Sequence, residues 1–191
     1  MGKMGDQKIM NTLYDRSPVH PVAGTPIRCF ARSPVLHVGM GEGIVMGEPH
    51  IISSLGLGSC VVVTLYDIHR RIGGLAHIML PDSHSVNGYH TPYQCADTAI
   101  AALLDELCGK GAMRRNIVAK MVGGARMFSD YENGSAGIGE QNIASIKNIL
   151  KRERISLIGE DTGGHHGRSI EFHLSSGRSI IKAIGKADEE I

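Results

Sequence analysis

The sequence is poor in aromatic residues and has no tryptophan. Aromatic side chains make up 4% of its 191 residues, so its core must be mainly aliphatic. It also lacks a run of about 18 consecutive apolar residues, the length that crosses a bilayer. Residues 1–11 contain no apolar stretch typical of a secretory signal, which favours a cytoplasmic protein. Membrane insertion is therefore not expected.

The sequence also lacks a large excess of positive or negative charge. Lys and Arg number 20 and Asp and Glu number 19, which gives a formal net charge of +1. Domains that bind nucleic acid usually carry a basic excess, so nucleic acid is not expected as a partner. Hydrophobic residues at 42% exclude global disorder, and the length suits one domain.

Cysteine is scarce, and its four positions show no CxxC spacing. This excludes a disulfide framework and a structural zinc site. Histidines on predicted loops also lack the spacing of metal ligands, so no metal is expected. The glycines of residues 39–47 match neither of the common phosphate-binding loops, and no helix follows them. No cofactor is therefore expected.

Proline is concentrated at the start of the chain, and glycine is abundant throughout. Four of the seven prolines lie before residue 35, in a segment without sustained hydrophobic periodicity. We expect residues 1–34 to form a poorly ordered or loosely docked extension and residues 35–191 to form a single domain. Glycine supplies 25 residues and separates short apolar runs, so a simple helical bundle is not expected.

The apolar runs predict more strands than helices. Strands are predicted at 51–52, 60–66, 71–80, 116–122 and 155–158, with a closing hairpin over 170–184. One helix is predicted to begin at Thr91, with Pro92 in its first position and Gln94 closing a capping box. A second helix is predicted around 143–152. Because strands dominate and adjoin hairpin-like turns, we predict an α+β fold with mixed or antiparallel sheets.

A glycine-rich turn leads directly into the apolar strand at Cys60. Backbone N–H groups of such a turn can hold an anion beside the thiol, which suits a nucleophile. His77 lies on the next predicted strand, where antiparallel pairing brings it beside Cys60 and where an imidazole serves as a base. Free cysteines and strand histidines are also common core residues, so a purely structural pair stays open here.

Six ordered segments resemble the chemoreceptor glutamine deamidase family (CheD) of bacterial and archaeal chemotaxis. Together they span most of the chain from about residue 35 to residue 184 and leave the proline-rich start outside. The segments are 57–61, Asp67, 74–81, 123–128, 138–143 and 161–168. So many matches in order are more specific than any one motif.

The resemblance implies a Cys–His–Thr triad on a fold similar to the catalytic domain of cytotoxic necrotising factors, with packed sheets flanked by helices. The family's cysteine corresponds to Cys60 and its histidine to His77. Its threonine, six residues before the cysteine, is replaced here by Ser54. A serine hydroxyl can still orient the imidazole, so activity is expected to survive.

The resemblance also implies a reaction and partners. The reaction is hydrolysis of glutamine side chains on the cytoplasmic helices of methyl-accepting chemoreceptors to glutamate, with release of ammonia. The same reaction class includes hydrolysis of receptor methyl esters. Some relatives bind a CheC-type phosphatase, and relatives suggest a monomer.

Two alternative functions stay open at this point. A non-catalytic module that docks on receptors or on a CheC-type phosphatase is favoured by the serine at position 54. A thiol amidase that acts on small molecules would need the same Cys60 and His77.

Overall fold

The computed structural model of the protein describes residues 33–84, 91–126 and 137–191. The predicted extension 1–34 lies outside the described residues except for Ser33 and Pro34. The strands in the described ranges are β1 (Val35–His37), β2 (Gly43–Gly47), β3 (Ile51–Leu57), β4 (Val61–Asp67), β5 (Ile72–Ile78), β6 (Ile117–Gly123), β7 (Ser156–Thr162), β8 (Arg168–His173), β9 (Arg178–Lys182) and β10 (Glu189–Glu190). The helices there are α1 (Ala96–Gly109) and α2 (Ile138–Arg152), with a short 3-10 helix at Arg114–Asn116.

The strands form two five-stranded sheets. Sheet A has the order β1-β3-β8-β9-β10, and sheet B has the order β2-β5-β4-β6-β7. Each sheet contains one parallel pair, β1 with β3 and β6 with β7, and its other pairs are antiparallel. The predicted α+β fold with mixed sheets is therefore confirmed.

Strand β4 is the middle strand of sheet B, and all seven of its residues are buried. Its alternate side chains enter two different cores, as the period of two in a strand requires. Val61, Val63 and Leu65 pack with apolar residues of both helices. Val62 and Tyr66 pack with residues of sheet A. The helices thus cover one face of sheet B, and sheet A covers the other.

The first helix begins later than the sequence predicts. Its N-cap is Cys95, not Thr91. The Thr91 hydroxyl donates to the Gly41 carbonyl and is not available as a cap. The Gln94 carbonyl accepts the N–H of Met79, which ties residues before the helix to the chain after β5. Long-range contacts therefore override the local capping signal.

The predicted hairpin between β4 and β5 is confirmed, and Asp67 holds its turn. The fully buried Asp67 carboxylate accepts the N–H groups of His69 at 2.9 Å, Arg70 at 3.1 Å and Met113 at 2.7 Å. Burial alone raises the pKa of Asp67, but these hydrogen bonds outweigh it and hold the pKa below its ordinary value.

Neither α1 nor α2, the two α-helices of the described ranges, is long and apolar enough to cross a membrane.

Candidate active site

Of the three residues singled out in the sequence, Cys60 lies where the chain passes from sheet A to sheet B. Ser54 is on β3 of sheet A, Cys60 directly precedes β4 of sheet B, and His77 is near the end of β5. In the antiparallel β4–β5 pair, His77 lies opposite Val62. Cys60 is two residues before Val62 and is therefore a diagonal neighbour of His77. The predicted pairing of their strands is confirmed.

Ser54 and His77 are joined by a buried hydrogen bond of 2.8 Å between Oγ and Nδ1. The same hydroxyl donates its proton to the Val38 carbonyl at 2.8 Å. Because a hydroxyl has one proton, Nδ1 must be the donor in its contact with Ser54. The neutral imidazole then carries its lone pair on Nε2, the nitrogen that can act as a base.

His77 is 3% exposed, and its Nε2 is buried without a hydrogen bond to any described residue. Burial lowers the pKa of His77, while the Val38 carbonyl and the charge of Glu42 partly oppose this. The lowered pKa keeps the imidazole neutral at pH 7.

Cys60 is partly exposed, and no hydrogen bond links its thiol to His77. Burial raises the pKa of the Cys60 thiol, and its own backbone N–H partly offsets this. Thiol and imidazole are thus both neutral at pH 7, an arrangement in which the base removes the proton during attack. The structure therefore joins Ser54 to His77 and places Cys60 nearby without a bond to either.

Gly123 and Gly124 hold the backbone of Cys60, a role that the sequence did not reveal. The Cys60 carbonyl accepts the Gly124 N–H at 2.8 Å, and the Gly58 carbonyl accepts the Ala125 N–H at 2.8 Å. Gly123 has a φ of +114°, and a Cβ there would lie 2.4 Å from the Cys60 oxygen. This close approach requires glycine at position 123.

Asn142 on α2 is a second residue that sequence analysis missed. Its Nδ2 donates to the carbonyls of Ser59 at 3.2 Å and Met79 at 3.0 Å. The side chain is fully buried, on the helix face that also buries Ile146. A polar residue four positions before Ile146, on an otherwise apolar face, is the signal that could have revealed it.

A cleft of about 480 Å³ opens beside Ser59. Its walls are residues 124–126, the first turn of α2 at 137–140 and residues 163–165. Arg126 and Glu140 form an exposed ion pair at its rim. The buried Arg168 guanidinium donates to the Asp161 and Gly163 carbonyls and holds the loop after β7. The cleft reaches Ser59, the residue before Cys60, but its lining includes neither Cys60 nor His77.

Sequence comparisons identify proteins that are similar to this chain. The family of CheD chemotactic sensory transduction proteins matches residues 79–183. A probable chemoreceptor glutamine deamidase CheD of Caldanaerobacter subterraneus is 42% identical over 80% of this chain and 95% of that protein. One with the same description from Moorella thermoacetica is 44% identical over 78% and 90%, and one from the archaeon Methanosarcina barkeri is 42% identical over 81% and 100%.

Among solved structures, the hypothetical protein YfiH of Bacillus licheniformis aligns with a TM-score of 0.42 and 15% identity. The alignment covers 62% of this chain and 49% of that chain, a likeness too low to carry an argument. The sequence relatives, by contrast, match along nearly their whole length at about 40% identity. Their agreement with the family match to residues 79–183 shows that the chain belongs to the CheD family.

Proposed function

We propose that the protein hydrolyses the side-chain carboxamide of glutamine residues in chemoreceptors, giving glutamate and ammonia. The observation that carries the proposal is the buried Ser54–His77 hydrogen bond, which leaves Nε2 as a free base one strand away from Cys60. The names of the relatives, probable chemoreceptor glutamine deamidases, support the choice of substrate. Residues 35–191 form the deamidase domain in this proposal.

The first half of the reaction transfers the acyl group to Cys60. His77 Nε2 takes the thiol proton as Sγ attacks the carboxamide carbon, which yields a tetrahedral oxyanion. The imidazolium then returns that proton to the nitrogen, the C–N bond breaks, and ammonia leaves. The product is a thioester on Cys60. General-base transfer fits a site where burial keeps both groups neutral.

The second half of the reaction releases the new carboxyl group. A water molecule attacks the thioester carbon while His77 Nε2 takes its proton. The C–S bond breaks, the proton returns to Sγ, and the glutamate side chain departs. With a methyl ester as substrate, the same steps release methanol in place of ammonia.

The turn before Cys60 supplies donors for the oxyanion. Neither the Ser59 N–H nor the Cys60 N–H donates to a backbone group in the described part of the chain. Backbone N–H groups next to the nucleophile are a usual means of stabilising a tetrahedral oxyanion.

The proposal extends to the setting of the reaction. The substrate is the cytoplasmic helical part of methyl-accepting receptors, so the protein acts in the cytoplasm, as a monomer. A CheC-type phosphatase is the proposed regulatory partner, on the ground of family membership.

The test is mass spectrometry of a purified receptor cytoplasmic fragment incubated with the protein. We expect a gain of about 1 Da at specific glutamines with the unaltered protein, and none with Cys60→Ala, because no thioester can form. Cys108→Ala is the matched control, since Cys108 is exposed on α1. A mass gain with Cys60→Ala, or none with the unaltered protein, would contradict the proposal.

A further inference from the structure

The three consecutive carbonyl groups before β4, at residues 58–60, accept hydrogen bonds from the segment after β6 and from α2. The Gly58 carbonyl accepts the Ala125 N–H, and the Cys60 carbonyl accepts the Gly124 N–H. Between them, the Ser59 carbonyl accepts Nδ2 of Asn142. The middle peptide is thus the one that a side chain holds, and that peptide contains the nitrogen of Cys60.

Holding the Ser59 carbonyl also fixes the direction of the Cys60 N–H. The two groups belong to one trans peptide plane, where they point in opposite directions. The Cys60 N–H therefore points away from Asn142, and it donates to no backbone group among the described residues. The Cys60 N–H also belongs to the same residue as Sγ, so it lies next to the atom that attacks.

We propose that Asn142 is a positioning residue that orients the Ser59–Cys60 peptide, so that the Cys60 N–H stabilises the oxyanion formed on attack by Sγ. The inference rests on the proposed function. Asn142 does not touch the substrate in this arrangement. It acts through the peptide that it holds.

The side-chain chemistry of Asn142 suits this task. Its NH2 group has two protons, and each is used by a carbonyl from a different segment, Ser59 before β4 and Met79 after β5. Turning the amide over would place Oδ1 against two carbonyl oxygens, so the hydrogen bonds assign its orientation. An aspartate would face both carbonyls with a buried charge, and a serine would offer one proton.

The Oδ1 atom of Asn142 indicates that packing alone does not explain why an asparagine occupies this position. Oδ1 of Asn142 is buried without a hydrogen-bond partner among the described residues. An unpaired buried acceptor is unfavourable, and this helix face buries Ile146 and Ile149 beside it. A residue kept there for packing would be a hydrocarbon.

The experiment compares Asn142→Ala with the unaltered protein in two assays. The first measures kcat and KM for ammonia release from a receptor cytoplasmic fragment. The second measures the rate at which iodoacetamide alkylates Cys60 across pH, which needs the thiol but no oxyanion donor. Asn148→Ala is the matched control, because Asn148 is exposed on the same helix.

We expect Asn142→Ala to lower kcat about 10-fold or more, with KM within about 3-fold of the unaltered value. The alkylation rate and its pH profile should stay within about 2-fold, because the thiol and His77 keep their places. Asn142→Ser, which keeps one donor, should show an intermediate kcat and serves as the test variant if Asn142→Ala does not fold.

Two results would overturn the inference. One is an unchanged kcat in the folded variant, and the other is a parallel loss of kcat and alkylation, which indicates a structural role. Both would leave the proposed function intact if the unaltered protein still releases ammonia. Absence of ammonia release by the unaltered protein would overturn the proposed function, and this inference with it.

Discussion

Ser54 connects sheet A to the imidazole of His77, and its hydroxyl makes both hydrogen bonds that set the tautomer. We expect Ser54→Ala to lower kcat for ammonia release about 10-fold to 100-fold, because Nδ1 loses its acceptor and the lone pair is no longer held on Nε2. Steady-state ammonia release from a receptor fragment measures the effect.

The same position offers two informative comparisons. Ser54→Thr should retain activity, because the hydroxyl remains and the added methyl group restricts its rotamers. Ser53→Ala is the control, since the neighbouring Ser53 hydroxyl contacts His37 instead of His77. Equal activity in Ser54→Ala and Ser53→Ala would remove Ser54 from the mechanism.

The pH dependence of the reaction reports on His77. Burial lowers the pKa of its imidazole, and only the neutral imidazole can accept the thiol proton. As pH falls, kcat/KM should therefore decline with a midpoint below the ordinary histidine value of about 6.5. A midpoint above that value, in protein shown by circular dichroism to be folded, would contradict a lowered pKa of His77.

At the scale of single residues, the sequence predicted that Cys60 and His77 lie on neighbouring strands, which the β4–β5 pairing confirms, while their roles as nucleophile and base stay predictions. Cys60 and His77 stand at the ends of two recognisable strands, so pattern alone brought them together. Ser54 was predicted through the family resemblance, since a serine in a strand has no signal of its own. Val38 acts through its carbonyl, which every residue has, so no side-chain pattern could reveal it.

The turn after β6 is the element on which the position of Cys60 depends. We expect Gly123→Ala to destabilise the protein by about 1–3 kcal/mol and to lower kcat, because a Cβ would lie 2.4 Å from the Cys60 oxygen and φ is +114°. Urea denaturation gives the free energy of unfolding, and ammonia release gives kcat.

Gly109→Ala is the matched control for this substitution. Gly109 is the last residue of α1, and a Cβ there meets no atom within 4 Å. Its replacement should leave kcat unchanged and should not lower the free energy of unfolding, since alanine is favourable in helices. A loss in Gly109→Ala equal to that in Gly123→Ala would argue against a specific role for the turn.

At the scale of elements, long periodic segments were predictable and short ones were not. The closing hairpin and both helices follow hydrophobic periodicity, which depends on local sequence. Strands β1, β2 and β10 were not predicted. They have three, five and two residues. β1 and β2 pair with strands distant in sequence, β3 and β5, whereas β10 is a two-residue strand that pairs with the preceding β9. The predicted start of α1 was wrong for a related reason, because the Thr91 hydroxyl donates to the Gly41 carbonyl instead of capping the helix.

The stability of the whole molecule should depend on pH through Asp67. Its folded pKa lies below the ordinary value of about 3.9, so the folded state binds fewer protons than the unfolded state around that pH. Its contribution is present above about pH 3.9 and is lost as pH falls through the lower folded pKa. At pH 7, Asp67→Asn should lower the free energy of unfolding by about 1–3 kcal/mol, because an amide N–H replaces an acceptor of backbone N–H groups.

Urea denaturation at pH 7 and at successively lower pH checks this expectation. The difference between the unaltered protein and Asp67→Asn should shrink as the carboxylate becomes protonated. Asp105→Asn is the control, because Asp105 is exposed on α1 and its replacement should change the free energy by less than about 0.5 kcal/mol. If the difference in the free energy of unfolding between the two proteins does not vary with pH, the shape of Asp67 matters and not its charge.

The layered arrangement around β4 was predictable in kind, since a strand that is apolar on both faces must lie between two layers. Which strands and helices make up each layer was not predictable, because this depends on contacts between residues far apart in the chain. Arg168, for example, holds Asp161 and Gly163 beside the cleft, and nothing in the local sequence links that loop to Cys60.

The chain crosses from sheet A to sheet B at the segment that carries the thiol, and its support comes from Gly124 and Asn142, far along the chain. A nascent or partly folded chain that ends before those residues has the thiol and the imidazole but not the backbone that aligns them. In such a chain Cys60 is an ordinary thiol in water. The chain must therefore be folded as far as α2 before the carbonyls of Ser59 and Cys60 are held as they are here.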